Sequence, residues 1–425
     1  MLRGGWRVIY HLSVLVYACF CFLLMVVQAV RAQELPAEFV SLTGRDVPQL
    51  LGVPLTEIAA LAIHNESLTP VHLQIDQRVR ADGGTWRYTF EAGEERSAPA
   101  TAGLGSDDVL LFMVSEGGER AQLVPNDHIE IEVTQDSGQY WFYLRRGPSP
   151  ELAPLISYDA ASDRIATDDY AIDFGHSGTA VMNALLLADR EDRSNILDRN
   201  KARLDIDLAL GIGRVSRTEN DVQVHTTGLH AGPLRIIRES EVRGRMLLGM
   251  YSAAVRDNFI FYPHGFVLPT TVRLTPTARM LVRNVTLRIS MDLTNALHDM
   301  TFQSAPEMPT PVAIDGRGGL HGGHRPIEWY LLRRNNVGLL GWLRARDDIA
   351  REVSLYYRDD RGHDDPPEKE PGEFGDHGFL FHHEGPLPAG EVRLSTHAWI
   401  LRGEQLANPA AQLRTLMSPP VVRVH

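Results

Sequence analysis

The stretch Leu281-Val282-Arg283-Asn284-Val285-Thr286-Leu287-Arg288-Ile289-Ser290-Met291-Asp292-Leu293 decides the fold class. One parity carries Leu281, Val285, Leu287, Ile289, Met291 and Leu293, interrupted only by Arg283; the other carries Asn284, Thr286, Arg288, Ser290 and Asp292 after Val282. That period of two predicts a β-strand with one apolar and one wet face. It is more than twice the common strand length of about 5 to 6 residues, so its sheet should be tall, twisted and covered by a second layer on the apolar side. Working outward, Leu234 to Tyr251 and Phe259 to Leu274 read as further strands, with a turn at Tyr262-Pro263-His264-Gly265. The expectation is an all-β protein built from antiparallel sandwiches.

The N-terminus reads as an export signal over residues 1–32. Arg3 and Arg7 are its basic flank, Val8 to Val27 its apolar run, and Val30-Arg31-Ala32 its small-residue cleavage site. An uncleaved anchor is the alternative, because the run approaches the ~20 residues that span a bilayer. Either reading sends the rest to the periplasm or outside the cell, with membrane contact only through that segment. Both cysteines, Cys19 and Cys21, fall inside it. The mature chain therefore excludes thiol catalysis, cysteine zinc sites, iron-sulfur clusters and covalent haem, and an apolar core must hold it without disulfides. It keeps 39 of the 42 Lys and Arg against all 54 acidic side chains, a net charge of −15, which excludes nucleic acid as an expected ligand. Lys201 and Lys369 are its only lysines, an arginine bias read here as genomic.

Six short apolar runs between Ile58 and Leu144, separated by glycine turns, predict a first sandwich over 34–147. Gly147-Pro148-Ser149-Pro150 through Pro154 reads as a stiff linker (148–154), and 155–425 as a larger sandwich with long strands. Within it, Thr179 to Asp192 fits a short helix. Two insertions are expected: a Gly-Pro-rich loop near 306–326 and an acidic one near 358–376.

Candidate chemistry gathers in those insertions. Nine of the seventeen histidines lie from His298 onward, and His321-x-x-His324 could bring two imidazoles to one ion if the glycine loop curls. Asp359, Asp360, Asp364 and Asp365 around Gly362 could offer oxygens to a divalent cation such as calcium, although the spaced Asp-x-Asp-x-Asp-Gly frame is missing. Asp315, Glu328 and Asp376 are candidate carboxylates for glycoside chemistry, with Tyr262, Trp329 and Trp342 as sugar-stacking platforms. Tyr262 and His264, with Arg256 nearby, carry the residue types of a uronate lyase. No nucleophile-elbow serine, phosphate-binding glycine loop or dinucleotide fingerprint is present.

Three stretches together resemble a known group. They are Pro70-Val71-His72-Leu73-Gln74-Ile75-Asp76; Gly232-Pro233-Leu234-Arg235-Ile236-Ile237-Arg238 followed by Phe261-Tyr262-Pro263; and Tyr356-Tyr357-Arg358-Asp359-Asp360 leading to Gly375-Asp376-His377-Gly378. This is similar to large exported β-sandwich proteins of bacterial envelopes, some associated with multihaem cytochrome systems. The chain lacks Cys-x-x-Cys-His and is not itself such a cytochrome. The resemblance implies an accessory role and transfers no site residues. The expected function is a non-catalytic envelope protein that binds or scaffolds a protein partner or polysaccharide; the alternative is a carbohydrate-active lyase or hydrolase on a long-stranded supersandwich.

Overall fold

The computed structural model describes residues 35–80, 86–90, 102–123, 126–175, 182–189, 192–208, 213–245, 255–273, 282–297, 299–385 and 391–425. Residues 1–32, read from sequence as an export signal, and Leu281 lie outside them. Strands dominate, all paired antiparallel, and no described helix is long and apolar enough to cross a membrane.

Of the six described sheets, four stack face to face, while a five-stranded sheet from Ile156–Asp159 to Asp192–Asn195 adds residues such as Ile165 and Leu185 to the last core. The outermost has five strands, Ser67–Pro70, Ile58–His64, Gly138–Arg146, His128–Gln135 and Val421–Val424; beneath it lie Phe39–Thr43, Val109–Met113 and Gln74–Asp76. Next comes a nine-stranded sheet that includes Ile236–Gly244, Val255–Tyr262, Gly265–Arg273, Trp329–Arg334, Val337–Ala345 and Glu391–Arg402. The last layer has six strands: β1 (Leu197–Leu208), β2 (Gly213–Arg217), β3 (Val282–Leu293), β4 (Arg317–Pro326), β5 (Val353–Asp360) and β6 (Glu373–Glu384), in the order β2-β1-β3-β6-β5-β4.

Side-chain alternation explains the stacking. In Val109–Met113 all five residues are buried, because Leu110 and Phe112 face the first core while Leu111 and Met113 face the second. The nine-stranded sheet repeats this, with Leu331 and Leu340 toward the N-terminal layers and Leu332 and Leu339 toward the six-stranded sheet. Val285 and Leu293 of β3 enter that last core with Phe379 and Phe381 of β6. The long strand thus keeps the two faces that its period of two predicts.

A polar brace joins the N-terminal layers to the nine-stranded sheet. The wholly buried Asp76 carboxylate accepts from Arg235 Nε at 2.7 Å and its Nη2, from His230 Nε2 at 2.8 Å and from Gln74 Nε2 at 2.7 Å. Gln74 Oε1 in turn accepts the Leu234 and Arg235 amides at 2.9 and 2.8 Å. Burial works against the Asp76 charge, but Arg235 outweighs it and holds the carboxyl far below its usual range.

Several expectations are corrected. The described part of Thr179–Asp192 is a strand, Ala184–Asp189, paired on both sides, because its apolar residues serve a sheet face and not a helical stripe. The glycine segment 306–326 contains regular structure: β4 pairs with β5. Its period is hidden because β4 is an edge strand with two register shifts, and Gly322, at φ +113, passes so close to Leu355 O that no Cβ fits. The acidic insertion is shorter, 361–372, since Asp359 and Asp360 complete β5 and Glu373 opens β6. Finally, Val421–Val424, assigned from sequence to the second sandwich, pairs with His128–Gln135 of the first.

Candidate functional site

Directly paired residues in a sheet share a face. The registers Lys201↔Ser290, Arg203↔Arg288, Asp205↔Thr286, Arg288↔Leu380, Ser290↔Gly378 and Gly378↔Tyr356 therefore place all these positions on the outer face of the six-stranded sheet. This is the wet parity of β3, and it divides into an open cleft and a buried charged cluster.

The cleft encloses about 390 Å³, within the range of roughly 300–1,000 Å³ usual for small-ligand sites. Polar groups come from Arg203, Asp205, Ser216, Thr218, Thr286, Arg288 and Asp365; apolar surface comes from Leu320, Leu355, Leu380 and the Tyr356 ring. Leu320 is 54% exposed at its rim. Arg288 lies over the Tyr356 ring, 4.5 Å from its centroid, and its Nη1 donates to Tyr356 Oη at 2.6 Å. Its Nη2 donates to Asp365, which also meets Arg203 Nε at 3.4 Å. Arg203 Nη2 donates to the Asp365 carbonyl at 2.8 Å, so the two arginines fasten 361–372 onto the sheet. Burial opposes the Asp365 charge, but Arg288 and then Arg203 overcome it and hold this carboxyl below its ordinary value. Burial, reinforced by the charge of Asp376, pushes the Tyr356 hydroxyl up to about 12.

Beside the cleft, Lys201 is buried with no side-chain exposure among four carboxylates. Its Nζ lies 2.9 Å from Asp292 Oδ2, 2.9 Å from Glu373 Oε1, 3.0 Å from Glu368 Oε1 and 3.9 Å from Asp376 Oδ2. A compact ammonium can turn three protons toward three carboxylates that converge on a single atom, whereas a guanidinium spreads its donors over a plane. Burial disfavours its charge, yet Asp376, Asp292 and Glu373 together raise its pKa. Burial and then Asp376 raise Asp292 and Glu373, with Lys201 only partly opposing them.

No family model and no curated protein sequence matches the chain. Among solved structures, it is similar to an alpha-mannosidase from Enterococcus faecalis V583, with a TM-score of 0.49 and 8% identity over 91% of this chain and 44% of that one. A protein in the glycosyl hydrolase family 38 from Enterococcus faecalis gives 0.47 and 9% over 92% and 46%. A putative aldose 1-epimerase from Escherichia coli K12 gives 0.30 and 8% over 60% of this chain and 99% of that one. The chain thus spans less than half the length of the first two.

The residues singled out from sequence fall in different places. Tyr262, Trp329 and Trp342 are core, at most 5% exposed, so they are no platforms for sugar. Both faces of the nine-stranded sheet are covered, and Tyr262 packs on Phe39 and Trp399 at ring distances of 4.8 and 5.8 Å. His264 is partly exposed on its hairpin, where Nδ1 donates to Asp169 Oδ2 at 2.6 Å while Arg402 Nε donates to Asp169 Oδ1 at 2.6 Å. Arg256 faces Glu239 and Glu241. His321 Nε2 donates to the Gly318 carbonyl at 2.7 Å; the side chain of His324 lies outside the described residues.

The four aspartates offered as one cation site have separate tasks. Asp359 accepts the amides of Asp315, Gly316 and Gly375 at 2.8, 2.8 and 3.1 Å. Asp360 and Asp364 accept those of Gly362 and Gly372, at 3.0 and 2.7 Å, and Asp365 serves the arginines. Of the candidate carboxylates, Asp376 alone enters the Lys201 cluster; the Asp315 amide belongs to the Asp359 knot. What sequence reasoning missed is Lys201, Asp292 and Glu373. One signal was present: Lys201 is one of only two lysines in an arginine-rich chain.

Proposed function

We propose that the protein recognises a saccharide in the cleft of the six-stranded sheet, in place of the protein-scaffold role expected first. A pyranose has an apolar face of C–H groups and a rim of hydroxyls. A site for it combines apolar surface with donors and acceptors that fix its orientation. The observation that carries the reading is this combination: Leu320, Leu380 and the Tyr356 ring beside Asp205, Ser216, Thr286 and the two arginines, in one open cleft. The leader read at the N-terminus supports a setting outside the cytoplasm, where polysaccharide is met.

The lining supports binding more than turnover. Asp365 is held ionised by two arginines, and Tyr356 keeps its proton to about pH 12. Neither is poised near neutrality, where a general acid or base works best.

The test is affinity electrophoresis and calorimetry of the mature chain against neutral and acidic polysaccharides, beside Ser216→Trp, which fills the cleft from its exposed edge strand. Retention by at least one glycan, weakened about tenfold or more by the tryptophan at an unchanged melting temperature, is expected. No retained glycan, or equal retention by the variant, overturns the proposal.

A further inference from the structure

The Lys201 cluster carries more acceptor than its one ammonium can satisfy. Lys201 takes one oxygen each from Asp292, Glu368 and Glu373. The second oxygens, Asp292 Oδ1 and Glu373 Oε2, are buried and receive no donor, and neither oxygen of Asp376 receives one, although the Glu373 and Asp376 carboxyls lie within hydrogen-bonding reach of each other. Asp376 and Glu373 have no solvent exposure. An independent group joins them: Ser290 Oγ, in a residue 4% exposed, is also without a partner and stands directly opposite Lys201 on the shared face. Five buried oxygens are therefore unmatched where native interiors leave few.

Four carboxylates surround one ammonium, with Arg288 of the neighbouring cleft also acting on Asp376, so negative charge still exceeds positive in a dry site, and like carboxylates this close cannot all stay ionised without a further positive partner. Asp292, Glu368 and Glu373 each present an oxygen within 4.8 Å of the others. Hard oxygen donors, all carboxylate or hydroxyl, suit a group 2 cation and not a soft transition metal.

We infer that this cluster is a divalent-cation site, taking calcium among the carboxylates of Asp292, Glu368, Glu373 and Asp376, on oxygens that Lys201 leaves free, with Ser290 at its edge. Lys201 stays bound to the opposite oxygens, so the carboxylates bridge ammonium and metal. Glu368 belongs to 361–372, the segment that also delivers Asp365 to the arginines, and its Oε1 accepts the Asp365 amide at 2.9 Å. Calcium would thereby tie the segment to the sheet. The site stands independently of the saccharide reading.

The experiment uses the mature chain stripped with EDTA and titrated with calcium chloride by calorimetry, with melting followed in parallel. Binding of one calcium per chain is expected, with a melting temperature raised by roughly 5 °C at saturation. Asp376→Asn should weaken calcium at least tenfold. Glu368→Gln, on the covering segment and thus safe for folding, should weaken it severalfold. Lys201→Met should make folding depend on calcium, since the metal then takes over from the ammonium as the cation held within the cluster. Stripped and loaded wild type that melt together, with no heat of binding, would mean that protons alone quiet these oxygens, and the inference falls. Calcium binding left unchanged in both Asp376→Asn and Glu368→Gln would overturn it equally, by placing the ion elsewhere.

Discussion

Replacing Asp76 by alanine should be among the most damaging single changes in the chain. The carboxylate has no exposure and Arg235 is 4% exposed, so the substitution strands a guanidinium in the seam between the N-terminal layers and the nine-stranded sheet. Breaking a buried pair from one side costs about 3–5 kcal/mol, chiefly because the remaining charge is unpaired. At about 2 °C per kcal/mol, suited to a large chain, the melting midpoint should fall by about 6–10 °C. Adding Arg235→Met removes the stranded charge and should recover at least half of that loss, a coupling read by a double-mutant cycle. The pH dependence follows from the depressed pKa of Asp76. Its contribution is fully present above the unfolded carboxyl value near 4 and is lost only as pH falls from there toward the folded value. The deficit of Asp76→Ala should therefore be constant from pH 8 to about 4.5. Differential scanning fluorimetry across that range is the assay. A midpoint within about 2 °C of wild type, or a double variant no better than the single one, would show that the brace does not bear on stability.

The hairpin histidine gives a second pH signature. Burial lowers the His264 pKa, but Asp169 and Glu38 raise it more, to a net increase, so its share of stability is present below about 6.5 and lost as pH rises through the folded value. His264→Gln should flatten the melting profile between pH 6 and 8 without touching cleft binding; an unchanged slope refutes this. His397, stacked on Trp342 at 4.8 Å, is pushed down to about 3 by burial and then by Arg344, so it is neutral in the core. The unfolded chain takes up that proton first, and stability falls as pH drops from about 6.5 toward 3; His397→Leu should reduce acid lability in urea titrations over that window. Asp359→Ala frees three backbone amides and should cost about 2–4 kcal/mol in chemical denaturation, with calcium stoichiometry unaltered. Loss of bound calcium in this variant would restore the sequence-based assignment.

Strand character was readable wherever a strand buries one face. The period of two in β3 named both its faces, and the Tyr262–Gly265 turn was visible because a tight hairpin leaves turn chemistry. Burial of the wet parity was not readable. Ser290 and Asp292 look solvated in sequence, yet 361–372 folds over them, and a covering segment leaves no trace in a strand's own pattern. β4 was missed for a related reason: glycines at positive φ erase periodicity while permitting an irregular edge strand. The aromatic residues misled in the other direction. Trp329 and Trp342 belong to a sheet covered on both sides, a fact settled by distant strands.

The pairing of Val421–Val424 with His128–Gln135 sets a timetable. His425 and Glu132 are in contact across 293 positions of sequence. Until Val421–Val424 arrives, the strand His128–Gln135 keeps an unpaired rim, the kind that recruits foreign strands. The first sandwich is therefore sealed only once this distant strand has been made, and until then its open edge is exposed to misassembly. Contacts this distant form slowly. Chains halted before Val421 should thus be markedly more sensitive to protease in their first sandwich than chains that include Val421–Val424.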